Sequence, residues 1–209
     1  MKSSDTHLIS VSELKQFMID AKRSTFAGEG IKVFLNDNSA VYSYKTLRTP
    51  RFIYTDVYKG NIVEGGKETV SLDRVEIWQN QYYGGIKNIT KINHKGTALH
   101  QRLSSLSHSE FNDVVVAFLK QSLMQMPENF PVRGSEQYET DALLLNGEHF
   151  NGCWCYKNNY QRIPIFELDD VFLSFTGFES ISLDGMEVFW HSYHGGLIID
   201  KHYNMQIIE

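Results

Sequence analysis

The sequence predicts an α+β protein made of two tandem similar halves, each a helix packed on an antiparallel β-sheet, related by a pseudo-twofold axis. Three observations carry this expectation. A hairpin-like segment occurs twice. Each copy is preceded by an amphipathic helix with the same start signal. Aromatic and β-branched residues alternate over much of the remaining chain.

The repeat is the strongest of the three. GKETVSLDRVEIWQNQYYGGI (66–86) aligns without gaps on GFESISLDGMEVFWHSYHGGL (177–197), at a constant offset of 111. Nine of the 21 positions are identical, among them Glu68/Glu179, Asp73/Asp184, Tyr82/Tyr193 and the Gly-Gly pairs 84–85 and 195–196. Chance would give roughly one or two. Residues 1–95 are read as the first half, 96–106 (GTALHQRLSSL) as a polar connector and 107–209 as the second half, the two forming one compact unit.

The helices come first in each half. SVSELKQFMIDAK opens at Ser10 and SHSEFNDVVVAFLKQSL at Ser107. Ser10 with Glu13, and Ser107 with Glu110, have the spacing of a capping box. Leu14, Phe17, Met18 and Ala21 then recur at helical spacing, as do Phe111, Val114, Val115, Phe118, Leu119 and Ser122. AGEG (27–30) reads as the turn that ends the first helix.

The hairpins follow. Asp184-Gly185 suits a two-residue turn, while Asp73-Arg74 suits it less and is expected to widen the turn. Strict alternation from those turns sets Glu68 opposite Gln79 and Glu179 opposite Trp190. One face then holds Glu68, Gln79, Gln81 and Tyr83, matched by Glu179, Trp190, Ser192 and His194. Near the turns the same face is aliphatic, so it is read as the core side. A carboxylate there needs a partner or a solvated pocket, because burying it alone costs several kcal/mol. Both outcomes stay open: backbone capping or an internal ion pair on one hand, a pocket lining on the other. The opposite face, with Trp78, Tyr82, Phe189 and Tyr193, reads as half-exposed. Arg133, in PVRGSEQY after the second helix, can pair with an acidic group of either hairpin or sit in a surface or capping ion pair.

Composition narrows the function. The 209 residues carry a net charge of −5 and no basic block, which argues against nucleic acid as a partner. The N-terminal stretch has no long apolar run, so neither a leader nor a membrane anchor is expected. Cys153 and Cys155 are too close for an unstrained bond and read as free thiols in a reducing compartment, the cytoplasm. His149, Cys153 and Cys155 lack a fourth metal ligand, and His191 and His194 point to opposite faces of a flat strand. No cofactor is expected, and the motif spacings of hydrolases, zinc proteases and phosphate loops are missing.

AKRSTFAGEG (21–30), the Y-x-G, G-x-E, W and Y-x-G-G series of the first half, FLKQSL with PVRGSEQY, and FTGFESISLDGMEVFWHSYHGGLI together resemble the DUF5680 family of bacterial proteins. The resemblance covers most of the chain. It implies the tandem architecture and supplies no catalytic residues, since the family has no established activity. Some relatives carry an N-terminal helix-turn-helix, which implies a sensory role. No room for one is expected before residue 10.

The expected function is a soluble, non-enzymatic module that senses or sequesters a small molecule, with Glu68, Gln79, Tyr83, Glu179, Trp190 and His194 as ligand-binding residues. One alternative is a protein–protein adaptor, with a second copy or another protein as its partner, using the face with Trp78, Tyr82, Phe189 and Tyr193. Another is an enzyme with Glu179 and His194 as an acid–base pair.

Overall fold

A computed structural model describes residues 7–28, 30–87, 106–164, 170–198 and 205–208. The expected connector therefore lies outside the described residues, except for its last residue, Leu106. The architecture is α+β, with two α-helices and one large antiparallel sheet among the described residues.

In chain order the described elements are β1 (His7–Ser10), α1 (Val11–Ser24), β2 (Val33–Phe34), β3 (Ala40–Tyr44), β4 (Phe52–Gly60), β5 (Val63–Leu72), β6 (Val75–Ile86), α2 (His108–Leu123), β7 (Gln137–Leu145), β8 (Glu148–Arg162), β9 (Ser174–Leu183), β10 (Met186–Leu197) and β11 (Met205–Ile208). Strands β1 and β11 pair in parallel. The others form one sheet in the order β2-β3-β4-β5-β6-β10-β9-β8-β7. The two repeated hairpins, β5–β6 and β9–β10, thus sit at the centre, and β6 pairs with β10.

Each helix begins at its expected serine, with half of the expected capping box at the first and all of it at the second. The Ser10 hydroxyl accepts from the Glu13 N–H, and Ser107 with Glu110 closes a full capping box. Every apolar position expected on the inner helix faces is buried. Helix α1 lies against β3 and β4, and α2 against β7 and β8. Below α1 the core includes Tyr54, Val70, Trp78 and Phe175; below α2 it includes Trp154, Tyr156, Ile181 and Phe189. No described helix is long and apolar enough to cross a membrane.

Three expectations about the hairpins change. The Asp73-Arg74 turn does not widen: Leu72 pairs with Val75, and both turn residues take positive φ, 50° and 74°. Asp184 and Gly185 do the same at 50° and 79°. An Arg51–Asp73 ion pair lies across the start of the first turn. Second, each hairpin contains a β-bulge. Val70 pairs with Trp78 while Ser71 pairs with Glu76, leaving Ile77 extra; Ile181 pairs with Phe189 while Ser182 pairs with Glu187, leaving Val188 extra. One extra residue transfers every later side chain to the other face.

The third change follows from the second. Glu68 faces Asn80 and Glu179 faces His191. Trp78, Tyr82, Phe189 and Tyr193, expected to be half-exposed, are buried core residues. The glycine pairs let the central strands and their neighbours approach closely. A Cβ on Gly196, at φ 143°, would come 2.2 Å from the Leu173 carbonyl oxygen.

Candidate functional site

The inner face of the four central strands and their flanks gathers charge. Glu68 is 3% exposed and Glu179 is fully buried. Glu68 accepts from Tyr54, from Asn80 Nδ2 at 2.7 Å and from the Lys22 ammonium. Glu179 accepts from the Tyr156 hydroxyl at 2.7 Å and lies 3.0 Å from His191 Nδ1. Of the two outcomes left open by the sequence, both glutamates meet internal pairing, and Glu68 lines a cleft as well.

Arg133 stands between them. It is 5% exposed, with Nε 3.5 Å from Glu179 and Nη1 3.9 Å from Glu68. Its guanidinium carbon lies 4.7 Å from the Tyr82 ring centre and 5.4 Å from that of Tyr193. Those tyrosines are cross-strand partners on β6 and β10. Each ring lies over a glycine of the neighbouring strand, where a Cβ on Gly66 or Gly177 would fall 2.3 Å from ring carbon. Their hydroxyls donate outward, Tyr82 to Asp56 at 2.9 Å and Tyr193 to Asn158 at 2.5 Å.

The electrostatics follow from burial and pairing. Burial pushes Glu179 up, but Arg133 and His191 outweigh it and hold the carboxyl at about 2. Burial likewise opposes the charge of Glu68, and Lys22 and Arg133 bring it below the ordinary range. Asp56 differs. Burial first and Glu68 second raise it to about 7. Burial lowers His191, while its contacts with Glu179 and Glu64 raise it by more. Its Nε2 is 3.3 Å from Glu64 Oε1 without making a hydrogen bond.

A narrow cleft, with about 30 Å³ of free interior space, opens onto this cluster. Its polar wall includes Lys22, Asp56, Glu64, Glu68, Arg133 and His191, and Phe26, Leu119, Leu123 and Met126 form its apolar side. It thus spans α1, the sheet and α2. No group of three or more metal-ligating side chains occurs among the described residues. Cys155 is buried and Cys153 exposed.

The six residues singled out in the sequence do not come together. Glu68 reaches the cleft wall, and Glu179 lies in the cluster behind Arg133 and His191. Gln79, Tyr83, Trp190 and His194 lie on the opposite face of the sheet, because the bulges invert their strands. There Tyr83 is 56% exposed, and Trp190 lies 6.1 Å from both Tyr83 and Phe178. Sequence reading missed Lys22 and Asp56. Signals for both exist. Lys22 continues the Leu14, Met18 stripe of α1, and Asp56 alternates with Phe52, Tyr54 and Tyr58, all buried.

Fold and site define a class: an antiparallel-sheet α+β protein with a buried ionic cluster beside an amphipathic cleft. The chain belongs to the family described as a domain of unknown function, DUF5680, whose model matches residues 56–198. Neither the curated proteins nor the solved structures compared with it gave a match.

Proposed function

We propose that this protein is a binding module whose inner cleft takes a small organic molecule without turning it over. The observation that carries the reading is the cleft itself. Apolar side chains from α2 and from the segments that follow both helices face a polar wall in which buried ionisable groups converge, a combination found in small-molecule sites. The glutamates hold the wall in place, and Lys22, Asp56, Tyr82, Arg133 and His191 replace the outer-face residues as its binding surface.

The reading includes an internal duplication with a pseudo-twofold relation between the halves. Matching hydrogen bonds support it. Tyr54 donates to Glu68 as Tyr156 does to Glu179, and Tyr82 donates to Asp56 as Tyr193 does to Asn158. On this view the second half has a corresponding hollow that is filled. Phe130 stacks on Tyr160 at 3.9 Å, and the Gly134 backbone bonds to Tyr156 and Asn158. The open cleft then lies beside the first of these two clusters, with walls from both halves.

Native mass spectrometry of protein purified from its own cells tests the reading. A bound small molecule, released on denaturation and lost in Ala27→Trp, is the expected result. Ala27 lines the cleft, so a bulky side chain there obstructs it. An unliganded mass in both proteins would count against the reading.

A second reading is favoured by one contact. Glu179 orients His191 through Nδ1, and the ring lines the cleft, an arrangement that serves proton transfer in acid–base enzymes. His191 takes the place that the sequence gave to His194, whose side chain is exposed on the far face. Chemical conversion of a co-purified ligand, abolished in His191→Gln, would favour this reading over simple binding.

A further inference from the structure

We propose that the cleft selects an organic cation, an ammonium group on an apolar body, and that Asp56 is the carboxylate that receives it. The inference rests on the cleft being a binding site and names the charge of what binds.

The reasoning starts from pairing. Four carboxyl groups face the cleft or stand directly behind its wall: Asp56, Glu64, Glu68 and Glu179. Three of them have a basic neighbour within 4 Å. Lys22 serves Glu68, Arg133 and His191 serve Glu179, and His191 also reaches Glu64. Asp56 is the exception among them. It is 4% exposed, lines the cleft and accepts a hydrogen bond from the neutral Tyr82 hydroxyl, with no ion pair among the described residues.

A buried carboxyl without a base keeps its proton. Asp56 does so up to about pH 7, through burial and the adjacent charge of Glu68. A ligand cation would take over that proton's role and let the group ionise. The surroundings suit a cation rather than an anion. With His191 charged, Lys22, Arg133 and His191 balance the three glutamates while Asp56 keeps its proton, and once Asp56 ionises one negative charge is left over, which a cation offsets and an anion would deepen. The walls are aromatic as well. Tyr54, Tyr58, Tyr82 and Phe26 all line the cleft, and ring faces attract cations. Leu119, Leu123 and Met126 offer the apolar body its contact.

The titratable groups around Asp56 are Lys22 from α1, Tyr42 from β3, Tyr54 and Tyr58 on its own strand, Glu68 from β5, Tyr82 from β6 and Arg133 from the segment after α2. Lys22 and Arg133 are committed to the two glutamates, so their charge is already opposed where it stands. Asp56 remains the place where one more positive charge is compensated.

Isothermal titration calorimetry with three probes of one shape tests this: benzylamine, benzyl alcohol and benzoate. Benzylamine, protonated throughout, should bind at least about tenfold more tightly than either of the others. Its affinity should rise between about pH 5.5 and pH 8, as Asp56 gives up its proton. Asp56→Asn should abolish both the preference and the pH dependence. Asparagine can still accept from Tyr82, as Asn158 accepts from Tyr193, so folding is expected to survive; an unchanged melting profile checks this. Preference for benzoate or benzyl alcohol overturns the inference while leaving a binding cleft in place. Benzylamine affinity unchanged in Asp56→Asn also overturns it, as does an absence of binding by all three, and mass spectrometry then judges the cleft separately.

Discussion

The residue on which the molecule turns is Arg133. A guanidinium this deeply buried is tolerable because two glutamates and two tyrosine rings surround it. Removing one partner leaves charge uncompensated. Glu179→Gln should therefore cost about 3–5 kcal/mol in chemical denaturation. Adding Arg133→Met should recover a large part of that loss, because the stranded charge is gone. A double variant no more stable than the single one would refute this account of the cluster.

The same residues set the pH dependence. Glu179 titrates near 2 in the folded protein against an ordinary 4.5. Between those values the unfolded chain holds the proton, so stability rises with pH. Asp56 works in the opposite sense, from an ordinary 3.8 to about 7. Across that window the folded chain holds the extra proton, so stability falls as pH rises. His191, raised above 6.5, contributes stability that is full below that value and lost as pH climbs through its folded one. The melting temperature is expected to peak near about pH 5 and to decline toward pH 8. Asp56→Asn should flatten the acidic part of that decline. A maximum at pH 8 would contradict these assignments.

At the scale of elements, the bulges decide which side chains meet. Ile77 and Val188 each add one residue to a strand and bring Asn80 and His191 to the inner face. Deleting Val188 should return His191 and Tyr193 to the outer face and remove cooperative unfolding, read by circular dichroism during heating. Gly196→Ala is a milder test. The close approach at its Cβ predicts a loss of about 2 kcal/mol or more. The bulges also explain how much was legible in advance. The helix faces were, because apolar spacing reports them directly. The inward glutamates were, because they share a side with aliphatic residues near the turn. The partners of those glutamates were not. Both extra residues are apolar and fit either face, so strict alternation passed through them unmarked and put Trp190 and His194 where His191 belongs. Arg133 was visible as a lone loop arginine, but its position between the hairpins depends on long-range packing.

On the scale of the whole molecule, the sheet separates two surfaces. The inner one carries the helices, the ionic cluster and the cleft. The outer one exposes Tyr83 and Phe178 beside Trp190. The adaptor alternative loses the surface first given to it, since Trp78, Tyr82, Phe189 and Tyr193 are core residues. The central claim is that small molecules bind inside. The most direct measurement is a fragment screen by two-dimensional NMR on the isotopically labelled full chain. Shifts clustered on Lys22, Asp56, Tyr82 and His191, and lost in Ala27→Trp, are the predicted result. Fragments that move only Tyr83, Phe178 and Trp190, or that perturb no residue of the cleft, would contradict it.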